Sequence, residues 1–287
     1  MPLYQAIVLG IIQGLAEFLP VSSSAHLTLA PWAFGWEDPG LAFDVALHWG
    51  TLVAVVAYFW RDWLKLLEGG LRSLPRVVRG AGFDTDAPWT ADAKLFWLLV
   101  VASVPGALFG LWLGKRAEED LRSPLLIAGT LAVMGVILFV ADRTGAKSRP
   151  LGEMSFVDSV LVGVGQALAL IPGVSRSGVT ISVGLFRGFD REAIARFSFL
   201  MSTPIIFGAG LVKLPHLVKT VLHGAPAGEV QVSAAALLVG MLFAAVFGYA
   251  AIRWMLAFLR HGSYAVFAGY RVALAAATVA LYVARGR

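Results

Sequence analysis

Six stretches of this chain, at about residues 41–60, 93–114, 124–141, 194–212, 233–252 and 264–284, are long and apolar enough to cross a bilayer as helices. The hydrocarbon core takes about 20 mostly apolar residues per crossing, and in lipid every backbone amide must be paired inside the protein. The chain is therefore read as an all-α polytopic membrane protein. Composition agrees: 58% of the residues are hydrophobic and 14% are charged, far from the balance of a soluble domain. The start of the chain lacks a basic segment and a small-residue cleavage site, so no cleaved signal peptide is expected. The absence of cysteine excludes disulfides and thiolate chemistry.

Two further apolar stretches are interrupted. Leu3 to about Leu29 is broken by Pro20, Ser22, Ser23, Ser24 and His26, and Phe156 to Phe186 is broken by Pro172, Gly173 and the segment PGVSRSGVT. Each has a helical half, a polar break and a second apolar half, the pattern of a re-entrant helical hairpin. Irregular backbone at membrane depth is tolerated only where protein or a wet cavity surrounds it, so both breaks should face inward. Laid together, QGLAEFLPVSSS (13–24) and QALALIPGVSRS (166–177) align without gaps, an internal repeat.

The basic residues fix an orientation. Fourteen fall in one set of connections: Arg61 to Lys94, Arg143 to Arg149, Arg187 to Arg196, and Arg253 with Arg260. Seven fall in the other: Lys115, Arg116, Arg122, Lys213, Lys219, Arg285 and Arg287. The richer set should be cytoplasmic. Both termini are then outside, the first hairpin enters from outside and the second from the cytoplasm. The expected architecture is one membrane domain over 1–287, an inverted-topology repeat of 1–141 and 156–284, with six full spans plus two hairpins whose breaks meet near the midplane. The only long polar connection is 61–92. Trp32, Trp36, Trp60, Trp63, Trp97 and Trp112 lie near predicted ends and read as interfacial anchors.

The polar residues left in apolar surroundings carry the chemistry. Gln13 and Glu17 share a helix face, and an intramembrane acid usually has a partner and a function, although a structural carboxylate bonded to a break is the plainer alternative. Ser22, Ser23, Ser24 and His26 add hydroxyl nucleophiles and a titrating group; singly, each could be a cap or a satisfied core residue. Ser175, Arg176, Ser177 and Thr180 form the facing half. Arginine presents a fork of donors suited to phosphate, and helix amides after Gly173 would add to an anion site. A buried Arg176–Glu17 ion pair is the alternative, and such a pair could open to admit an anion. Arg271, early in the last span, is read as structural, snorkelling to the interface or pairing inside the bundle. Asp44 and His48, also four residues apart, are read as a structural hydrogen-bonded pair rather than a metal site or proton relay. No zinc helix, Walker loop or dinucleotide fingerprint is present.

QGLAEFLPVSSSAH and PGVSRSGVT, with FDVALHWGTLVAV between them, resemble the signature segments of the bacterial undecaprenyl-diphosphate phosphatase family, also called the bacitracin-resistance protein family. The resemblance runs nearly the full length. It implies hydrolysis of undecaprenyl diphosphate to undecaprenyl phosphate and inorganic phosphate, recycling the lipid carrier of cell-wall peptidoglycan synthesis in the bacterial inner (cytoplasmic) membrane. It places a metal-associated pair on Gln13 and Glu17, a serine and histidine on Ser23 and His26, and the arginine loop on Ser175, Arg176, Ser177 and Thr180. It also implies a divalent cation, Mg2+ or Ca2+, and a site opening outward.

The resulting expectation is phosphoryl transfer by positioning and charge stabilisation. Glu17, Ser23, His26 and Arg176 are the catalytic candidates, with Ser22, Ser24, Ser175, Arg176, Ser177 and Thr180 binding phosphate. Arg176 clamps the terminal phosphate and Ser23 attacks, helped by Glu17 as base or through a cation. His26 protonates the leaving oxygen or activates water, and the roles of Ser23 and His26 could be exchanged. The partners are a polyprenyl diphosphate lipid and the bilayer, with no nucleic acid and a homodimer left open. The rival reading, a secondary transporter or flippase of an anionic lipid, fits repeats and broken helices equally well, but does not need a nucleophile and base beside the arginine.

Overall fold

The computed structural model describes residues 1–80, 89–224 and 230–286, without the side chains of 114–120 and 222. Arg287, the side chains of Lys115 and Arg116, and positions 81–88 of the polar connection lie outside the described residues. Among the described residues the secondary structure is helical, with eleven α-helices and two short 3-10 turns.

Six helices are long and apolar enough to span: α3 (Gly40–Tyr58), α5 (Ala91–Asp120), α6 (Pro124–Thr144), α9 (Arg191–His223), α10 (Ala234–Leu259) and α11 (Ala265–Ala284). They coincide with the six predicted stretches. Local chemistry sets several starts: the side chains of Thr90, Asp190 and Ser233 accept from the amides of Ala93, Ala193 and Ala236, each satisfying a donor that the first helical turn leaves open.

The two interrupted stretches each fold as a helix pair. The first is α1 (Leu3–Phe18) and α2 (Ser23–Phe34); the second is α7 (Phe156–Ala167), a 3-10 turn at Leu168–Leu170, and α8 (Arg176–Phe186). Between α3 and α5 the expected polar connection is instead largely helical, as α4 (Trp60–Val78). Trp60, Leu64, Leu67, Leu71, Leu74 and Val78 are all exposed, at spacings of three and four that put them on one helix face. Arg61, Lys65, Glu68 and Arg72 occupy other positions around it. That is the pattern of a helix lying in a membrane interface. Weighing charge content above helical period hid it.

Packing follows a regular exchange. Helix α1 lies on α10 as α7 lies on α5, α10 packs on α3 as α5 packs on α9, and α3 meets α9 as α6 meets α11. Small residues let the backbones approach, as expected where lipid supplies no hydrophobic drive between helices. A Cβ at Gly10 would lie 2.6 Å from the Gly240 carbonyl oxygen, and one at Gly14 would lie 2.7 Å from that of Ala244. Ion pairs tie several basic residues of the richer set. Asp158 holds Arg149 and Arg187, both at 2.7 Å, and Asp142 holds Arg191 at 2.6 Å.

Candidate active site

The two breaks are built alike. Helix α2 starts after Ser22, at φ 76° and ψ 95°, and α8 starts after Ser175, at φ 71° and ψ 117°. Such a backbone costs a non-glycine residue about 1–3 kcal/mol and persists where surrounding structure enforces it. Each serine then caps its own helix: Ser22 Oγ accepts from the Ala25 amide at 3.4 Å, and Ser175 Oγ from the Gly178 amide at 3.1 Å. Each also shares a hydroxyl contact two residues on, Ser22 with Ser24 and Ser175 with Ser177, both at 3.2 Å.

The carbonyls freed by the breaks are met from outside. Arg271 of α11 is fully buried and donates to Pro20 O at 3.0 Å, Gly173 O at 2.7 Å, Val174 O at 3.1 Å and Leu131 O at 3.3 Å. It does not snorkel; it pairs inside the bundle and joins the two breaks. Thr130 Oγ1 donates to Pro172 O at 2.7 Å, and Ser177 Oγ to Leu19 O at 3.2 Å. The irregular backbone is thus satisfied by protein, as membrane depth demands.

Glu17, in the last turn of α1, is the junction. Its Oε2 accepts from Ser23 Oγ at 2.6 Å and Gln13 Nε2 at 3.2 Å, and its Oε1 from Arg176 Nη2 at 3.1 Å. Arg176 Nη1 donates to Ser198 O at 2.8 Å, while its Nε has no hydrogen-bond partner. The ion pair that the sequence offered as an alternative is present, together with a serine on the same carboxylate. A buried pair of this kind is weak evidence for stability, and it leaves the buried Nε donor of Arg176 unmet.

These groups line a cavity of about 300 Å³. Glu17, Ser22, Ser23, Ser24, Ser175 and Arg176 face it, with Asp44, His48, Arg122, Gln166 and Lys213 and an apolar wall that includes Leu27, Leu170 and Ile206. Four predicted site residues do not line it. Gln13 is buried beneath Glu17. Ser177 is turned to Leu19, and Thr180 Oγ1 meets Arg176 O and Ser198 Oγ, both at 2.8 Å. His26 has Nδ1 on Ser22 O and Nε2 on Tyr270 Oη, both at 2.7 Å, with the rings stacked.

His48 is the residue that sequence reasoning undervalued. Its Nδ1 lies 2.7 Å from Asp44 O; a carbonyl only accepts, so that nitrogen carries a proton and Nε2 is the ring nitrogen left to exchange one. Nε2 lies 3.8 Å from Glu17 Oε2. The Asp44 carboxylate does not pair with His48, as the sequence reading had it, but with Arg122 at 3.0 Å. The i, i+4 spacing marked both residues; only the approach of α1 to α3 shows what His48 meets.

The donor set tests the expected divalent cation. Among the described residues no three His, Asp or Glu groups converge on one point. Glu17 already takes two formally neutral donors and a guanidinium, and Gln13 gives its nitrogen to that carboxylate, leaving one buried amide oxygen without a partner. This arrangement does not fit a cation held by protein ligands alone.

Fold and cavity together define a multi-pass helical membrane protein in which a buried carboxylate meets a half-buried serine and a half-buried arginine at the junction of two broken helices. The family model of the bacitracin resistance protein BacA matches residues 6–277. The undecaprenyl-diphosphatase of Moorella thermoacetica is 53% identical over 282 residues, covering 98% of each chain. That of Desulforudis audaxviator is 47% identical over 283 residues, covering 99% of each, and that of Nocardioides sp. is 45% identical over 277 residues, covering 96% of this chain and 95% of its own. The chain belongs to the bacitracin resistance protein BacA family.

Proposed function

We propose that this chain hydrolyses undecaprenyl diphosphate to undecaprenyl phosphate and inorganic phosphate. One observation carries the chemistry: the Ser23 hydroxyl and the Arg176 guanidinium occupy the two oxygens of one buried carboxylate, Glu17. A nucleophile, its base and an anion clamp are in contact before substrate arrives.

In this reading the terminal phosphate draws the Arg176 guanidinium from Glu17. The released carboxylate takes the Ser23 proton as Oγ bonds to the terminal phosphorus, and the bond from that phosphorus to the bridging oxygen breaks. Undecaprenyl phosphate leaves. Water then attacks the phosphoserine phosphorus while a histidine accepts its proton, the bond from phosphorus to Ser23 Oγ breaks, Oγ recovers its proton from Glu17, inorganic phosphate departs, and the histidine gives up its proton to solvent. The resemblance gives the histidine role to His26; the position of Nε2 favours His48. Trapping labelled phosphate on the protein separates the nucleophiles: phosphoserine at Ser23 supports this order, and phosphohistidine overturns it. No step uses a cation, and Mg2+ or Ca2+ is proposed to travel on the oxygens of the diphosphate.

The same reading makes the helix pairs re-entrant hairpins of an inverted-topology repeat, supported by the exchanged packing of α1 on α10 and α7 on α5. The cavity, edged by Arg122 and Lys213 from the sparser basic set, opens outward, the termini are outside and the membrane is the bacterial inner membrane. Purified protein in detergent micelles should release phosphate from undecaprenyl diphosphate without any gradient. A transporter would bind the lipid and release none, which is the result that sinks the proposal.

A further inference from the structure

Gln166, at the end of α7, is 4% exposed, and neither its amide nitrogen nor its amide oxygen has a hydrogen-bond partner. It lines the same cavity as Arg176 and Ser23. An unmet buried amide costs about 1–3 kcal/mol, and such groups in folded proteins call for a specific explanation. The packing accommodates the amide: a Cβ at Gly106 of α5 would lie 2.7 Å from Gln166 Nε2.

The counterpart of Gln166 in the sequence match is Gln13, which has a partner. Its Nε2 donates to Glu17 four residues on. Four residues after Gln166 stands Leu170, which also lines the cavity and accepts nothing through its side chain. Both segments have the amide, but where the first has a carboxylate four residues on the second has a hydrocarbon. An amide both donates and accepts, and a phosphate offers acceptor oxygens and, when monoprotonated, a donor.

We propose that Gln166 is a substrate-binding residue, its amide nitrogen donating to a phosphate oxygen of the lipid diphosphate that Arg176 also holds. This rests on the hydrolase reading above. It differs from a structural remnant of the repeat in sign. If Gln166 were a remnant, an apolar side chain of similar shape should be neutral or better in every respect, because removing an unmet polar group is neutral or stabilising. If Gln166 binds substrate, the same change should keep or raise stability and weaken binding.

The test is Gln166→Met, with Gln166→Leu as a second variant should the first not fold. Both are assayed as full-length protein in detergent for thermal unfolding, phosphate release from undecaprenyl diphosphate, and calorimetric affinity for inorganic pyrophosphate. The expected result is an unfolding temperature equal to or above the parent, KM raised about tenfold with kcat within threefold, and a matching loss of pyrophosphate affinity. KM and pyrophosphate affinity both within twofold of the parent would overturn the assignment. Should the parent bind pyrophosphate but release no phosphate from the lipid, the hydrolase reading fails by itself, and the affinity arm still decides the role of Gln166.

Discussion

The breaks at 19–22 and 171–175 share a scaffold and divide the chemistry. Both reach a strained serine that caps the next helix, and both begin that helix with the residue that meets Glu17. In the sequence match, Ser23 of the first falls on Arg176 of the second, Glu17 on Leu170, and His26 on Val179. The shared serines at 22 and 175 hold backbone; the differing positions 17/170 and 23/176 set the two breaks apart chemically. One helix start can serve twice, as a place for the proposed nucleophile and as a place for the proposed anion clamp, because each points its first side chain at the same carboxylate. The single carboxylate then serves both sides.

If that division is right, the two first-turn residues should be equally indispensable for different reasons. Ser23→Ala and Arg176→Ala should each lower phosphate release on the order of 10³-fold. Only Arg176→Ala should also lower the unfolding temperature markedly, because it strands Glu17 as an unpaired buried charge. Near-parent turnover in either variant breaks the assignment. Arg176→Lys keeps the charge without the fork and should fall between.

Next in size is the contest between the histidines. His48→Ala should lower turnover about 100-fold, the lower range for losing a proton-transfer group, and His26→Ala less than about tenfold, since its ring is engaged by Ser22 and Tyr270 outside the cavity lining. The reverse ranking would return the role to His26. Arg271→Gln tests what the breaks have in common. It withdraws donors from carbonyls of both at once, so unfolding temperature should drop with a loss of turnover of about tenfold, from displacement alone. A drop in stability with turnover untouched would show that register between the breaks does not matter to the reaction.

Much of this was legible in the sequence, and the boundary between what was and was not is physical. The six spans follow from apolar run length alone, since lipid leaves so few ways to pair a backbone. The breaks were visible because proline, glycine and serines cannot hide in a run of leucine and valine. Glu17 and Arg176 stood out through the scarcity of polar residues at such positions, whereas Ser23 was singled out from its neighbouring serines by the family resemblance. What failed was whatever depends on elements distant in sequence. Arg271 and Pro20 are 251 residues apart, and nothing local in α11 says that its arginine faces two broken carbonyl ladders. His48 needed α1 beside α3. Ser177 and Thr180 carried the right hydroxyls, but Ser177 is one residue round the helix from Arg176 and meets Leu19 O, and Thr180 is one turn further along and meets Arg176 O and Ser198 Oγ. The missed α4 is a different case: its period was present in Trp60, Leu64, Leu67, Leu71 and Leu74, and its charges obscured it.

The smallest expected effect sharpens the comparison most, because it asks whether the two caps are the same device. Ser22 and Ser175 each hold φ near +70° and each accept one amide hydrogen bond. Alanine at either site removes the cap and keeps the strain, so both variants should lose about 1 kcal/mol of stability. Glycine also removes the side-chain acceptor, but adopts that backbone freely and as a cap falls short of serine by only a few tenths of a kcal/mol. The Gly variants should therefore match or slightly exceed the parent in thermal unfolding, at both sites and by the same margin. Turnover should separate them where stability does not. Ser22 carries the backbone into Ser23, the proposed nucleophile, and freeing its φ would loosen the atom proposed to attack. Ser175 precedes a long arginine whose reach can absorb a small displacement. Ser22→Gly is expected to lower kcat several-fold and Ser175→Gly to leave it within twofold; equal losses would mean that the two helix starts share their function as well as their build.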